Sequence, residues 1–206
     1  MGEPTGEDTS GGREPGPAER LPFAVLVLFE AVLAPLALVA GWALGQHPLA
    51  DFAWDADAVA LGLIAAVPML AALAAALRWP VGPLGGIKAF FDRELAPALQ
   101  GCAWPDLALI SVAAGVGEEM LFRGVLQGGL ARPLGPGAAV AAAGVVFGLL
   151  HPVSTAYVVI AGLLGAYLGL VWLASGNLLA AMVAHAVYDF VALVAVLRDR
   201  PGDAGD

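Results

Sequence analysis

Six apolar runs follow one another through this chain, most of them about 20 residues long, and that succession constrains the fold more than any other feature. A helix of about 20 apolar residues crosses a hydrocarbon core of about 30 Å. In that medium each backbone N–H and C=O must be satisfied within the protein, so such runs fold as helices. The sequence therefore predicts an all-α, polytopic membrane bundle of about six transmembrane helices. Composition agrees, with 60% hydrophobic and 13% charged residues, against about 45–50% and about 25% in a soluble domain. The formal net charge is −9. Many of the acids lie in the tails and the first loop, which argues against nucleic acid as a partner. A single cysteine, Cys102, excludes an internal disulfide and a thiolate metal cluster and reads as an inert interfacial residue.

Residues 1–20 are rich in Gly, Pro and acids and predict a disordered N-terminal tail, unlike the short basic start of a secretory signal. Residues 21–103 hold two transmembrane helices, about Leu21–Leu44 and about Ala58–Leu77, followed by a linker. The first helix carries one acid, Glu30, expected to be a packing residue hydrogen-bonded to a neighbour. Within the linker, Ile87–Leu95 mixes charge with aromatic residues and predicts an amphipathic segment lying in the membrane interface. Residues 104–198 form a core of four helices. The first starts at Pro105-Asp106, with Asp106 as candidate cap, and runs to about Arg132; the others are Ala138–His151, Thr155–Leu173 and Leu178–Leu197. Residues 199–206 are a C-terminal tail. Small residues four apart (Ala113/Gly117, Gly124/Gly128, Ala161/Gly165/Gly169) would let these helices approach closely. Basic residues choose the orientation. Arg13, Arg20, Arg78, Lys88, Arg93, Arg198 and Arg200 all fall on one side of a six-span layout, which predicts both termini in the cytoplasm.

The third apolar run contains Gly117-Glu118-Glu119-Met120-Leu121-Phe122-Arg123-Gly124. Ionisable groups at membrane depth are costly and mark functional sites by default. Glu119 and Arg123 are four apart and share a helix face, in the order that suits an ion pair. Glu118 points about 100° away, so one carboxylate can be neutralised locally while its neighbour stays free for chemistry. Two histidines lie in the same four helices. His151 closes Phe147-Gly148-Leu149-Leu150-His151, and His185 opens His185-Ala186-Val187-Tyr188-Asp189. Counting from the turn near residues 134–135, Glu118 and His151 fall at one level, about 24 Å away at 1.5 Å per residue. His185 and Asp189 face roughly the same zone from the last helix.

A carboxylate held in an apolar site can serve as general base toward water, and His151 could help position that water. His185 can donate to an oxyanion, with Asp189 fixing its tautomer or holding a substrate amide. Together they suit hydrolysis of an amide bond at membrane depth. The plainer alternative is a buried polar network that only locks helices together. The sequence has no HExxH and no GxSxG, which speaks against the usual zinc-protease helix and a serine nucleophile. No cofactor is expected; were zinc present, Glu118, His151 and His185 would supply its ligands.

The ordered motifs EExxxR (Glu118 to Arg123), FxxxH (Phe147 to His151) and HxxxN/D (His185 to Asp189) resemble the CPBP family. Its members are CAAX proteases and bacteriocin-processing or immunity proteins, related to the Ras-converting CAAX endopeptidases. The likeness covers about residues 104–196. It implies a glutamate-type intramembrane protease with a cavity open to the cytosol. Glu118 and His151 would activate water, His185 and Asp189 would form the oxyanion side, and Glu119, Arg123 and Phe147 would be structural motif residues. The resemblance also implies a membrane setting, in a bacterial plasma membrane, and a hydrophobic or lipidated peptide as substrate. Asp189 departs from the Asn of the eukaryotic and archaeal type, and a carboxylate, unless protonated, cannot donate where an amide can. A second function fits the same cavity: a non-proteolytic immunity or scaffolding protein. Solute transport fits less well, because no pair of broken helices occupies matching halves.

Overall fold

The computed structural model describes residues 23–198; the two predicted tails, residues 1–20 and 199–206, lie outside them, as do Arg13, Arg20 and Arg200. Helices α1 (Phe23–Leu44) and α2 (Ala56–Arg78) are joined by a loop over residues 45–55. Asp55 caps α2 by accepting hydrogen bonds from the N–H groups of Asp57 and Ala58. Next comes the short helix α3 over residues 83–98, which includes a π-helical turn at Phe91–Leu95 and carries the Lys88–Asp92 ion pair. It is longer than the predicted amphipathic segment and contains it.

Helix α4 runs over residues 104–134 as one rod. It is α-helical over Trp104–Glu119, π-helical over Met120–Gln127 and α-helical again over Gly128–Leu134. Asp106 steadies its start from inside the helix, accepting from the N–H of Ala103 at 2.8 Å; the position preceding the helix is Ala103, so Asp106 is not itself the cap residue. Helices α5 (Pro136–Leu149), α6 (Thr155–Ser175) and α7 (Leu178–Arg198) complete the chain, and no strand occurs among the described residues.

Four of these helices, α1, α2, α6 and α7, are each long and apolar enough to cross a membrane. The rod α4 is longer still, whereas α5, at 14 residues, reaches only about 21 Å. The bundle is thus the expected six-membered one, with one member short. Most of the spanning surface is not buried inside the protein, and Leu28, Phe29, Ile64 and Leu163 point outward where lipid would cover them. Trp42 and Trp54 sit at one end of the bundle and Trp79 and Trp104 at the other, all exposed, as expected of anchors at the two interfaces. Arg78 and Arg198 lie over Trp79 and Trp104, 5.8 and 5.3 Å from the ring centroids.

Small residues set the spacing of the inner helices. A side chain at Gly117 would begin 2.8 Å from Leu33 Cβ and 2.9 Å from the Glu30 carbonyl oxygen. Only glycine lets α1 and α4 approach so closely, directly beside the paired glutamates. Apolar clusters fill the remaining joints: Leu99, Leu107 and Ile110 with residues of α1 and α7, and Ala37, Met120 and Met182 where α1, α4 and α7 meet.

Candidate active site within the membrane

Glu118 and Glu119 lie at the last α-helical positions of α4, immediately before the π-helical stretch. Such stretches are rare and often accompany functional sites; nothing in the sequence announced this one. The two carboxylates have different surroundings. Glu119 is fully buried and its Oε1 faces Arg123 Nη1 at 2.9 Å and His185 Nδ1 at 2.8 Å. Because a carboxylate accepts only, the short contact places a proton on Nδ1 of His185. Glu118, 9% exposed, keeps a buried Oε2 with no hydrogen-bond partner. His185 Nε2 lies 3.9 Å from that oxygen.

Asp189, one turn further along α7, places Oδ2 3.3 Å from His185 Nε2. His185 therefore stands between Glu119 on one ring nitrogen and Glu118 and Asp189 on the other. Geometrically, the group that orients its Nδ1–H is Glu119, a role that the sequence suggested for Asp189.

Arg123 is held from three sides. Besides Glu119, its Nη2 donates to the Gly165 carbonyl oxygen at 2.5 Å, and its guanidinium lies 5.1 Å from the Phe147 ring centroid. One turn on, Gln127 Nε2 donates to the Gly169 carbonyl oxygen at 3.1 Å. The constant offset of 42 residues shows α4 and α6 running parallel, with two polar side chains of one helix on two carbonyls of the other. The sequence displayed the small stripe Gly165/Gly169 that exposes those carbonyls, but Gln127 itself carried no signal.

Phe147 is the centre of the aromatic part. Its ring meets Phe122 edge-on at 4.9 Å, stacks on His151 at 4.6 Å and approaches His185 edge-on at 6.0 Å. His151 Nδ1 hydrogen-bonds the Phe147 carbonyl oxygen at 2.7 Å, one turn back, so that nitrogen carries the proton and Nε2 is left as the acceptor. Tyr157, which the sequence reading passed over, lies 6.4 Å from the His151 ring. The structure thus joins Glu118, Glu119, Arg123, His185 and Asp189 by direct polar contact and brings His151 to them through Phe147.

Glu30 also belongs to this neighbourhood. Its Oε2 is buried without a hydrogen-bond partner, unlike the hydrogen-bonded packing residue expected, and its backbone carbonyl lies against Gly117, next to Glu118. A groove of about 940 Å³ runs between the start of α3 and the start of α6, lined by Val81, Pro83, Leu84, Ser154, Thr155 and Val159 among others and by none of the site residues. For zinc, the donor set Glu118, His151 and His185 does not converge. Among the described residues no group of three His, Cys, Asp or Glu side chains is arranged to hold a metal ion.

A buried carboxylate–imidazole–guanidinium cluster inside an all-helical membrane bundle defines the class: an integral membrane protein with a polar site at membrane depth. Residues 100–191 match the family model described as type II CAAX prenyl endopeptidase Rce1-like. That match, which contains Glu118 to Asp189, supports the likeness to the CPBP family of CAAX-type intramembrane proteases. No curated protein and no solved structure matches this chain.

Proposed function

We propose that this protein is an intramembrane endopeptidase in which Glu118 is the general base. The observation that carries the reading is the unequal treatment of the paired glutamates. Glu119 Oε1 is taken up by both Arg123 and His185 and only its Oε2 is left unpartnered, whereas no hydrogen bond reaches Glu118 among the described residues and its Oε2 faces the same imidazole from 3.9 Å. A water bound between Glu118 and His151 would lose a proton to Glu118, and the resulting hydroxide would attack the scissile carbonyl carbon. The oxyanion so formed would be met by His185, whose Nδ1–H is fixed on Glu119 and whose Nε2, in the two-donor form of the ring, carries the second donor. Glu118 would then return the proton to the leaving amine. Arg123 and Phe147 hold Glu119 and His151 in place and take no part in proton transfer.

The substrate is a hydrophobic or lipidated peptide cleaved near its C-terminus in the CAAX manner. The apolar groove at the start of α6, three residues beyond His151 in the chain, supports this choice, because its lining would suit a lipid-like chain. The site opens toward the cytoplasm with both termini on that side, as the basic residues of one face suggest.

The test is cleavage of a farnesylated CAAX peptide by purified protein, wild type against Glu118→Gln, with and without a strong chelator. Cleavage by the wild type alone, indifferent to chelator, is expected. Loss of cleavage with chelator would require a metal, and an active Glu118→Gln would remove the proposed base. Absence of cleavage by the wild type would favour the immunity or scaffolding function in the same cavity.

A further inference from the structure

A polar pocket lies at the end of the bundle that carries Trp42 and Trp54, away from the carboxylate cluster. It measures about 250 Å³ and is lined by Gln46, His47 and Asp51 of the loop after α1, Gly128 and Arg132 of α4, and Trp172 of α6. Arg132 stands about 20 Å further along α4 than the paired glutamates, at 1.5 Å per residue. We propose that this pocket seats the headgroup of an aminophospholipid, with Arg132 and Gln46 on its phosphate and Asp51 on its ammonium. This is a second site, and it does not depend on the protease reading.

The walls of the pocket are fixed by contacts outside it. Asn177, in the turn before α7, accepts from the N–H of Ala53 at 3.2 Å and donates to the Ala53 carbonyl oxygen at 3.0 Å. The Leu178 N–H donates to the Asp51 carbonyl oxygen at 2.7 Å, which leaves the Asp51 carboxylate uncommitted. Nearer α1, the Gln46 N–H donates to the Gly41 carbonyl oxygen at 2.7 Å. Pro48 rests on α4 at Gly124, where a Cβ would fall 2.7 Å from Pro48 Cα. The Gln46 side chain follows α4 at Gly129, 3.6 Å from where a Cβ would stand. A loop held in this way before a ligand arrives loses little freedom on binding.

The charges choose the ligand. Arg132 and Asp51 are exposed and line one pocket, yet no ion pair joins them and neither side chain has a partner among the described residues. Arg132 is also the only exposed Lys or Arg at this end among those residues. A simple anion would meet Asp51, and a simple cation would meet Arg132. One carboxylate offers too few oxygens for calcium or magnesium. A phosphate joined to an ammonium through two carbons satisfies both signs: guanidinium and amide N–H groups donate to the phosphate, and the ammonium donates to the carboxylate. The volume lies below the about 300 Å³ at which pockets for drug-sized ligands begin, so the occupant is a small group. Trp42 and Trp54 bracket the loop in the chain and are both exposed. Such residues sit at headgroup level, which makes the membrane lipid the source of that group.

Native mass spectrometry of delipidated protein in mixed micelles tests this, with phosphatidylethanolamine, phosphatidylglycerol and phosphatidylcholine supplied in equal amounts. The wild type should retain phosphatidylethanolamine about tenfold over phosphatidylglycerol, the effect of one charge-assisted hydrogen bond. Asp51→Asn should remove that preference, and Arg132→Gln should weaken retention of phosphatidylethanolamine about tenfold. Both residues are exposed and unpaired, so both variants should unfold like wild type. Free phosphoethanolamine at the same concentration should leave the bound lipid in place. Equal retention of the three lipids by wild type overturns the proposal, and this outcome needs no variant to fold. An unchanged preference in Asp51→Asn, or full retention in Arg132→Gln, overturns it as well. Displacement by free phosphoethanolamine would overturn the membrane lipid as occupant. None of these readouts involves peptide cleavage, so a failure of the protease reading leaves them unaffected.

Discussion

Arg123→Met is the perturbation whose cost the structure specifies most fully. It keeps an unbranched apolar stem in the bundle and removes a guanidinium that is 1% exposed. Two polar groups lose a partner: Glu119 Oε1, 2.9 Å from Nη1, which keeps only His185 Nδ1, and the Gly165 carbonyl oxygen, 2.5 Å from Nη2. Stranding one member of a buried ion pair costs about 3–5 kcal/mol, and loss of the cation over Phe147 adds about 1 kcal/mol. The expected loss is thus about 4–6 kcal/mol, read as unfolding in detergent micelles titrated with denaturant and followed by circular dichroism. The double variant Glu119→Gln/Arg123→Met removes the stranded charge as well. It should recover most of the lost stability, because replacing both members of a buried pair is often neutral. The two side chains are in direct contact, so the difference from additivity is itself the pair's coupling. A loss below about 1 kcal/mol in Arg123→Met, or a double variant no more stable than the single one, would refute the reasoning.

Two further outcomes follow from particular contacts. Gly165→Ala would place a Cβ 2.9 Å from Cγ of Phe147. Overpacking of that kind costs about 1–3 kcal/mol, and because Phe147 carries His151, peptide cleavage should fall by more than the thermal shift explains. At Cys102, in the turn between α3 and α4, burial first and Asp106 second push the thiol above its ordinary value. Less thiolate at neutral pH means slower alkylation, so maleimide labelling in folded micelles should lag behind that of the unfolded chain and accelerate as pH rises. Equal rates in both states at neutral pH would contradict this.

The helices were legible because hydrocarbon leaves a backbone few choices, and the apolar runs end within a few residues of the structural boundaries. The ion pair Glu119–Arg123 was legible from its spacing alone. What the sequence could not convey was geometry created by tertiary contact. The π-helical stretch Met120–Gln127 depends on how α4 packs and leaves no mark in residue types. Glu30 looked like an isolated polar residue because its neighbours come from helices far along the chain. The partner of His185 Nδ1 was equally hidden: Asp189 is the near neighbour in sequence, yet Glu119 reaches across from α4. Phe147, read as a motif residue, proved to be the ring on which His151 stacks and which His185 and Arg123 approach.

The division of labour between the paired glutamates is the centre of the account, and comparing Glu118→Gln with Glu119→Gln tests it most directly. Each purified variant would be assayed for peptide cleavage and for unfolding in the same micelles. The account predicts that Glu118→Gln abolishes cleavage and unfolds like wild type, because Glu118 Oε2 has no hydrogen bond to lose. Glu119→Gln should be clearly destabilised, because its carboxylate holds both Arg123 and His185. A stable, inactive Glu119→Gln beside an active or unfolded Glu118→Gln would contradict it.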